Sequence, residues 1–215
     1  MRLTHARVSL ELHVLAERQG LPVLALHSLF GSATDWGEAA GLWPGPVYAL
    51  DFSGHGHSQW VAGGAYTPEL LAGDADAALA QIGRAAVVGA GIGAYVALLL
   101  GAARPQAVPA ALLLPGAGMA GGGALPDFSR PFFHRTVDDA LARPVGCDPL
   151  VRMLEDDVRP VEYAAALAAA ARCVLLANAN GAPPPWWKAL TLVPTVRSAP
   201  LAICDALAML VAHAR

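Results

Sequence analysis

A chain of 215 residues, 55% hydrophobic and only 14% charged, can fill one sizeable core and is too apolar to be disordered. A net charge of −3, with no run of like charge, points away from nucleic acid. The three cysteines, Cys147, Cys173 and Cys204, follow no metal-ligand or C-x-x-C spacing and suit buried thiols in a reduced, cytoplasmic setting; no apolar leader opens the chain.

In chain order, Arg2–Gln19 predicts a β-hairpin, because Val8, Leu10 and Leu12 alternate with Ser9 and Glu11. His13 falls on its second strand, where a surface or packing role is expected. Val23–His27 (VLALH) and Val47–Phe52 (VYALDF) are continuous apolar runs, the mark of strands buried on both faces. The first leads into HSLFGSATDW and the second into DFSGHGHS, with a short helix predicted between them over Trp36–Leu42. Thr67–Ile82 predicts a helix: Thr67 offers an N-cap hydroxyl, Pro68 suits the first turn, and Glu69 favours the positive end of the dipole.

Next comes AAVVGAGIGAYVALLLGAARP, Ala85–Pro105, which predicts a strand (Ala85–Val88), a glycine-dense turn and a buried helix (Ala94–Ala103). The 19 uncharged residues between Arg84 and Arg104 approach the length of a membrane span. Three glycines interrupt the run and its first part has a strand pattern, so a soluble strand–turn–helix is expected instead. Val108–Leu114 predicts another strand. An insertion of short helices is expected over about 124–172, rich in charge and proline breaks, with Glu162–Arg172 helical. Cys173–Ala177 and Leu192–Val196 predict strands, Pro184–Ala189 a short helix, and Ala199–Ala214 a closing helix with Leu201, Cys204, Leu207 and Val211 inward. This alternation argues for α/β architecture: a single domain over 1–215, with a mostly parallel twisted sheet, antiparallel at its start, and helices on both faces.

HSLFGSATDW after one strand, DFSGHGHS after the next and the strand–turn–helix that follows together resemble the α/β-hydrolase family, over essentially the whole chain. In that family the turn is G-x-S-x-G, whose serine is the nucleophile on a strained elbow. The matching residues are Gly89, Ala90, Gly91, Ile92 and Gly93. Gly91 stands in the nucleophile's place, and a residue without a side chain forms no acyl-enzyme. The resemblance puts the acid after Cys173–Ala177, where the sequence offers Asn178 and Asn180 and no carboxylate. It puts the base after the last strand, at Ala199, where there is no histidine; His213 comes later, on the closing helix. An asparagine can orient an imidazole but cannot stabilise its charged form. The family's oxyanion donors match the backbone N–H groups of Ile92 and Leu29, with Ser28 where relatives usually carry glycine. His27 and Asp51 match positions that hold loop structure, as does His55, with His57 and Ser58 closing its turn.

The expected function is therefore a triad-lacking member that binds a small molecule or a protein partner. Catalytic substitutes, if any, are His27, Ser28 and Ser32, acting as an unusual hydrolase or a cofactor-free lyase. The expected ligand-binding set is Ser28, Leu29, Gly91, Ile92, Phe132 and Phe133, with Phe128, His134 and Met153 as further lining or as insertion core. Neither a metal nor a cofactor is expected. The partners in view are a small apolar or carbonyl-containing ligand and a second copy in a homodimer, with no nucleic acid and no membrane span. One rival stays open: Gly89, Gly91 and Ala94 also satisfy G-x-G-x-x-A, a dinucleotide-binding pattern. Against it, no acidic residue lies between Asp76 and Asp127 to take a ribose. The Trp186–Trp187 pair reads equally as an exposed aromatic contact or as packing against the sheet.

Overall fold

The computed structural model describes residues 1–119, 146–155, 157–177 and 184–214. Eight strands form one sheet: β1 Arg2–His5, β2 Val8–Ala16, β3 Val23–Leu26, β4 Val47–Asp51, β5 Ala86–Ala90, β6 Ala111–Leu114, β7 Val174–Ala177 and β8 Val196–Ala199. Their order is β1-β2-β4-β3-β5-β6-β7-β8. β1–β2 and β2–β4 pair antiparallel, and every later pair is parallel, as the sequence pattern predicts.

The central strands are apolar because both of their faces are covered. All four residues of β3 are buried, and so are the first four of β5. One face carries α1 Pro68–Ile82, α2 Ile92–Ala103, α3 Val161–Ala170 and α4 Pro185–Leu190. The other carries α5 Ile203–Ala214 and two 3-10 turns, Ala33–Trp36 and Ala39–Leu42. Burying a leucine as fully as Leu24 or Leu26, each 0% exposed, is worth about 1.5–3 kcal/mol.

The start of α1 follows local chemistry. Thr67 is extended, and its Oγ1 accepts the Leu70 N–H at 3.1 Å, satisfying one of the orphan donors of the first turn. The helix ends at Gly83, at φ 90°, whose N–H donates to the Leu79 carbonyl at 2.7 Å. Thr67→Ala is expected to cost about 1 kcal/mol, read as a lower urea midpoint with an unchanged slope.

Several boundaries differ from the sequence reading. The last strand runs over Val196–Ala199, four residues beyond the expected start at Leu192, which is 87% exposed in the preceding turn. Pro194 has no N–H to give a ladder, and pairing begins with Val196 opposite Val174. The closing helix buries Ala206, Leu207, Leu210 and Ala214; Leu201 and Cys204 are exposed. Its apolar residues surround the axis, so packing chose a face that periodicity alone left ambiguous. In place of one helix over Trp36–Leu42 stand two 3-10 turns, Ala33–Trp36 and Ala39–Leu42. Cys147 is buried, Cys173 half-buried and Cys204 exposed, so the expectation of buried thiols fails for the last. Trp186 and Trp187 are 4% and 5% exposed, with Tyr95 on α2 edge-on to Trp186 at 5.3 Å, which sets aside the exposed-contact reading. Of the expected insertion over about 124–172, residues 124–145 and 156 lie outside the described residues. No helix among the described residues is long and apolar enough to cross a membrane.

The topology places a switch point. After β3 the chain adds β4 on one side, then crosses to add β5 on the other. Loops leaving the C-terminal ends of β3 and β5 therefore diverge, and in open α/β sheets ligands bind at this switch point. The loops that meet here are 27–32 after β3, the Gly91 turn after β5 and residues 115–119 after β6.

Candidate functional site

Gly91 sits at φ 55°, ψ −119°, a strained conformation that side-chain-bearing residues adopt at real cost. Gly91 is also the residue that caps the start of α2. Its flanking glycines have packing reasons. A Cβ on Gly89 would lie 2.0 Å from the Gly93 carbonyl oxygen, and one on Gly93 would lie 2.4 Å from the Leu26 carbonyl oxygen. Only bare backbone lets α2 approach β3 and β5 this closely.

The space in front of Gly91 is filled. A Cβ there would meet the Ala117 carbonyl oxygen at 2.1 Å and the Ala117 nitrogen at 2.7 Å. That same carbonyl accepts two backbone hydrogen bonds, from the Ile92 N–H at 2.8 Å and from the Leu29 N–H at 3.1 Å. These are the two donors that the sequence pointed to as an oxyanion hole. They converge on one oxygen at the distances such a hole requires, and the oxygen belongs to the chain itself.

The segment carrying Ala117 is anchored on both sides. The Gly91 N–H donates to the Leu114 carbonyl at 3.1 Å, the Met119 N–H to the Leu154 carbonyl at 2.9 Å, and the Trp186 indole N–H to the Met119 carbonyl at 3.2 Å. Met119 is buried at φ 58°, and Phe30, next to the second donor, lies at φ 65°. Two non-glycine residues in left-handed backbone therefore flank the Ala117 contact, each costing on the order of 1–3 kcal/mol that the surrounding bonds must offset. Sequence reasoning missed Ala117. Its only local signal is the pair Gly116 and Gly118, of which Gly118 takes φ 103° and packs where a Cβ would lie 2.7 Å from Ile92.

His27 is 1% exposed and both of its ring nitrogens are engaged. Nδ1 donates to the Ser28 carbonyl at 2.8 Å, and Nε2 accepts the Phe52 N–H at 3.2 Å. This fixes the neutral tautomer, and burial pushes the imidazole down to about 4. His55, 0% exposed and 4.9 Å from His27 ring to ring, is pushed down to about 3 by burial and by that neighbour. Ser32 turns its hydroxyl to Thr34, 2.7 Å away, while its N–H donates to Asp35. The hydrogen bonds of His27 thus go to the backbone of Ser28 and Phe52, and to the hydroxyl of neither serine.

Asp51, at the end of β4, is a node. Its Oδ1 accepts the Ala33 N–H at 2.7 Å; its Oδ2 accepts the His57 N–H at 2.9 Å and meets His13 Nε2 at 2.9 Å. Burial pushes its carboxyl up, but those two N–H groups and His13 outweigh burial and hold it below the ordinary carboxylate range. A second such pair, His5 Nδ1 with Asp74 Oδ1 at 2.8 Å, ties β1 to α1, and the Ser53 N–H completes it on Oδ2 at 2.9 Å.

The structure places the remaining sequence candidates as follows. Ser28, Leu29, Gly91 and Ile92 all lie around the Ala117 carbonyl. Ala199, matched to the family's base, is the last residue of β8 and pairs with Ala177. The residues that follow it are Pro200, Leu201 and Ala202. His213 rests its Nδ1 on the Met209 carbonyl at 2.9 Å in the last turn of α5. Asn178, Asn180, Phe128, Phe132, Phe133 and His134 lie outside the described residues.

No protein-family model matches the sequence, and no curated protein is similar to it. Solved structures do match. A hypothetical protein from Pseudomonas aeruginosa PAO1 superposes with a TM-score of 0.69 at 23% identity, over 100% of this chain and 96% of its own. An N-acyl homoserine lactone degrading enzyme gives 0.72 at 17% identity over 98% and 95%. The enol-lactonase of Burkholderia xenovorans LB400 gives 0.69 at 17% over 97% and 93%. At these identities the likeness is one of fold, and the fold is that of the α/β hydrolases.

Proposed function

We propose that this chain is a non-catalytic protein on the α/β-hydrolase fold, acting by binding a small molecule or a protein partner rather than by hydrolysis. The observation that carries the reading is the Ala117 carbonyl, held by the Ile92 and Leu29 N–H groups in the place a substrate's carbonyl would take. Differential stabilisation of a developing oxyanion is usually the largest contribution to such catalysis. Here those donors are already spent on a ground-state amide.

Two further observations support it. Gly91 offers no nucleophile, and its missing side chain is the room that the 116–117 backbone uses. His27 is held neutral by two backbone partners and is not free to take a proton from a hydroxyl. The hydrolase alternative through Ser28, Ser32 and His27 is therefore less well supported. The dinucleotide alternative needs the N–H groups at the start of α2 to face phosphate, yet the Ile92 N–H ends on Ala117 and the Ala94 N–H on the Gly91 carbonyl at 3.0 Å. A carbonyl ligand at the turn would have to displace residues 115–119.

The lactone-acting neighbours suggest which substrates to test. Purified protein is assayed against short-chain p-nitrophenyl esters and acyl lactones, beside Ser28→Ala, Ser32→Ala and His27→Gln. All four proteins are expected to match buffer. A wild-type rate above buffer that any one of these substitutions abolishes would overturn the reading.

A further inference from the structure

We propose that His13, Asp51 and His57 form a binding site for one divalent transition-metal ion of the zinc class. Their three ligand atoms all lie within 4.8 Å of one another. Asp51 Oδ2 is 2.9 Å from His13 Nε2 and 3.5 Å from His57 Nδ1. A tetrahedral zinc ion, with bonds of about 2.0–2.1 Å to imidazole and carboxylate, holds its ligand atoms about 3.3 Å apart. These two separations bracket that value and the third, between the two imidazoles, lies within 4.8 Å, so rotation of the exposed His57 ring closes the site.

The set is graded from rigid to mobile. The Asp51 side chain is 1% exposed, and the Ala33 N–H on Oδ1 fixes which oxygen faces the imidazoles. His13 is 27% exposed and held by its place on β2; His57 is 74% exposed and can swing onto an ion. The two rings stand 5.7 Å apart and tilted by 57°, so they do not stack on each other. The outward side stays open to water for the fourth position. An ion here takes the place of the hydrogen between His13 Nε2 and Asp51: a neutral ring then carries its one proton on Nδ1, and a charged ring keeps the Nδ1 proton and releases the Nε2 proton to solvent. Two imidazoles and one carboxylate suit zinc, nickel, cobalt or copper and ill suit calcium or magnesium.

No linear motif marks this site. His13 and Asp51 are separated by 38 positions, and the antiparallel pairing of β2 with β4, with Glu11 opposite Asp51, brings them together.

The test uses full-length, tag-free protein and zinc chloride followed by titration calorimetry, with cobalt absorption as a report on coordination. Wild type is expected to bind one zinc per chain and to give the intense visible bands of four-coordinate cobalt. His13→Gln and His57→Gln are each expected to weaken zinc binding by about tenfold or more, since even outer-shell losses cost that much. His5→Gln, at the other His–Asp pair, is the control and is expected to bind as wild type does. Circular dichroism and unfolding midpoints show whether each variant is folded; Asp51 is left unchanged because it holds two loop N–H groups. The proposal is overturned if zinc gives no saturable binding, if folded His13→Gln and His57→Gln proteins bind as tightly as wild type, or if His5→Gln abolishes binding.

Discussion

Gly91→Ser is expected to lower stability by roughly 2–5 kcal/mol and to bring no esterase activity. The loss has two parts. A side chain at φ 55°, ψ −119° costs on the order of 1–3 kcal/mol by itself. Its Cβ would then sit 2.1 Å from the Ala117 oxygen and 2.7 Å from the Gly116 carbonyl carbon, so backbone rather than a flexible side chain must move. Moving that backbone breaks the bonds from Ile92 and Leu29 to Ala117, and it strains the anchors of Met119 to Leu154 and Trp186. On the proposed reading a serine there gains no activity, because the Ile92 and Leu29 N–H groups are already bonded to the Ala117 carbonyl. The measurement is urea unfolding of wild type and variant, with p-nitrophenyl acetate turnover on both. Gly41→Ser is the control: no atom lies within 4 Å of a Cβ there, and the expected change stays within about 0.5 kcal/mol. A Gly91→Ser protein as stable as wild type that releases a burst of p-nitrophenol would mean that residues 115–119 readily leave the turn.

The second large effect is with pH. Unfolding free energy is expected to fall steeply as pH drops from 6.5 towards 4, by up to about 1.4 kcal/mol per pH unit for each of two histidines. The direction follows from proton counts. In the unfolded chain an imidazole takes its proton near 6.5; in the folded protein His27 does so only near 4 and His55 only near 3. Between those values the unfolded state holds more protons, so acid favours it. The contribution is present above 6.5 and is lost as pH falls through the folded values. Asp51, held below its ordinary range, adds a loss of the same sign at pH values below its usual 3.8. Asp74 is held above its ordinary value by burial and acts in the opposite sense at pH values above 3.8, where the folded state takes its proton first and acidification stabilises. Urea midpoints at pH 7, 6, 5 and 4.5 measure the slope. His27→Gln is expected to be less stable at pH 7 but to show a shallower slope, having lost one of the two proton sites. A midpoint flat from pH 7 to pH 5 would contradict the buried, neutral state assigned to both rings.

These two results bear on different parts of the molecule. Serine at Gly91 probes whether the Ala117 contact is a built feature of the turn. The pH slope probes the histidine core beneath it, which the same loops enclose: His27 leads into Ser28 and Leu29, and its Nε2 holds the Phe52 backbone.

Much of the fold was legible from residue order. Continuous apolar runs identify β3, β4, β5 and β6 because strands covered on both faces need no polar side. Thr67-Pro68-Glu69 identifies the start of α1 because the orphan N–H groups there must be met locally. The elbow was legible because a strand entering a helix this sharply needs glycine where backbones touch. Local chemistry decides each of these, and a sequence carries local chemistry openly. What only the tertiary structure decided is what meets across the sheet. Pairing with Val174, not the apolar run at Leu192, sets where β8 begins. The Ala117 carbonyl reaches Ile92 and Leu29 because β6 lies beside β5 and its exit loop folds back over the turn. His13 meets Asp51 through the register of two antiparallel strands. A backbone carbonyl has no residue identity to read, and a cluster assembled across strands has no spacing to recognise; both exist only once the chain has closed upon itself.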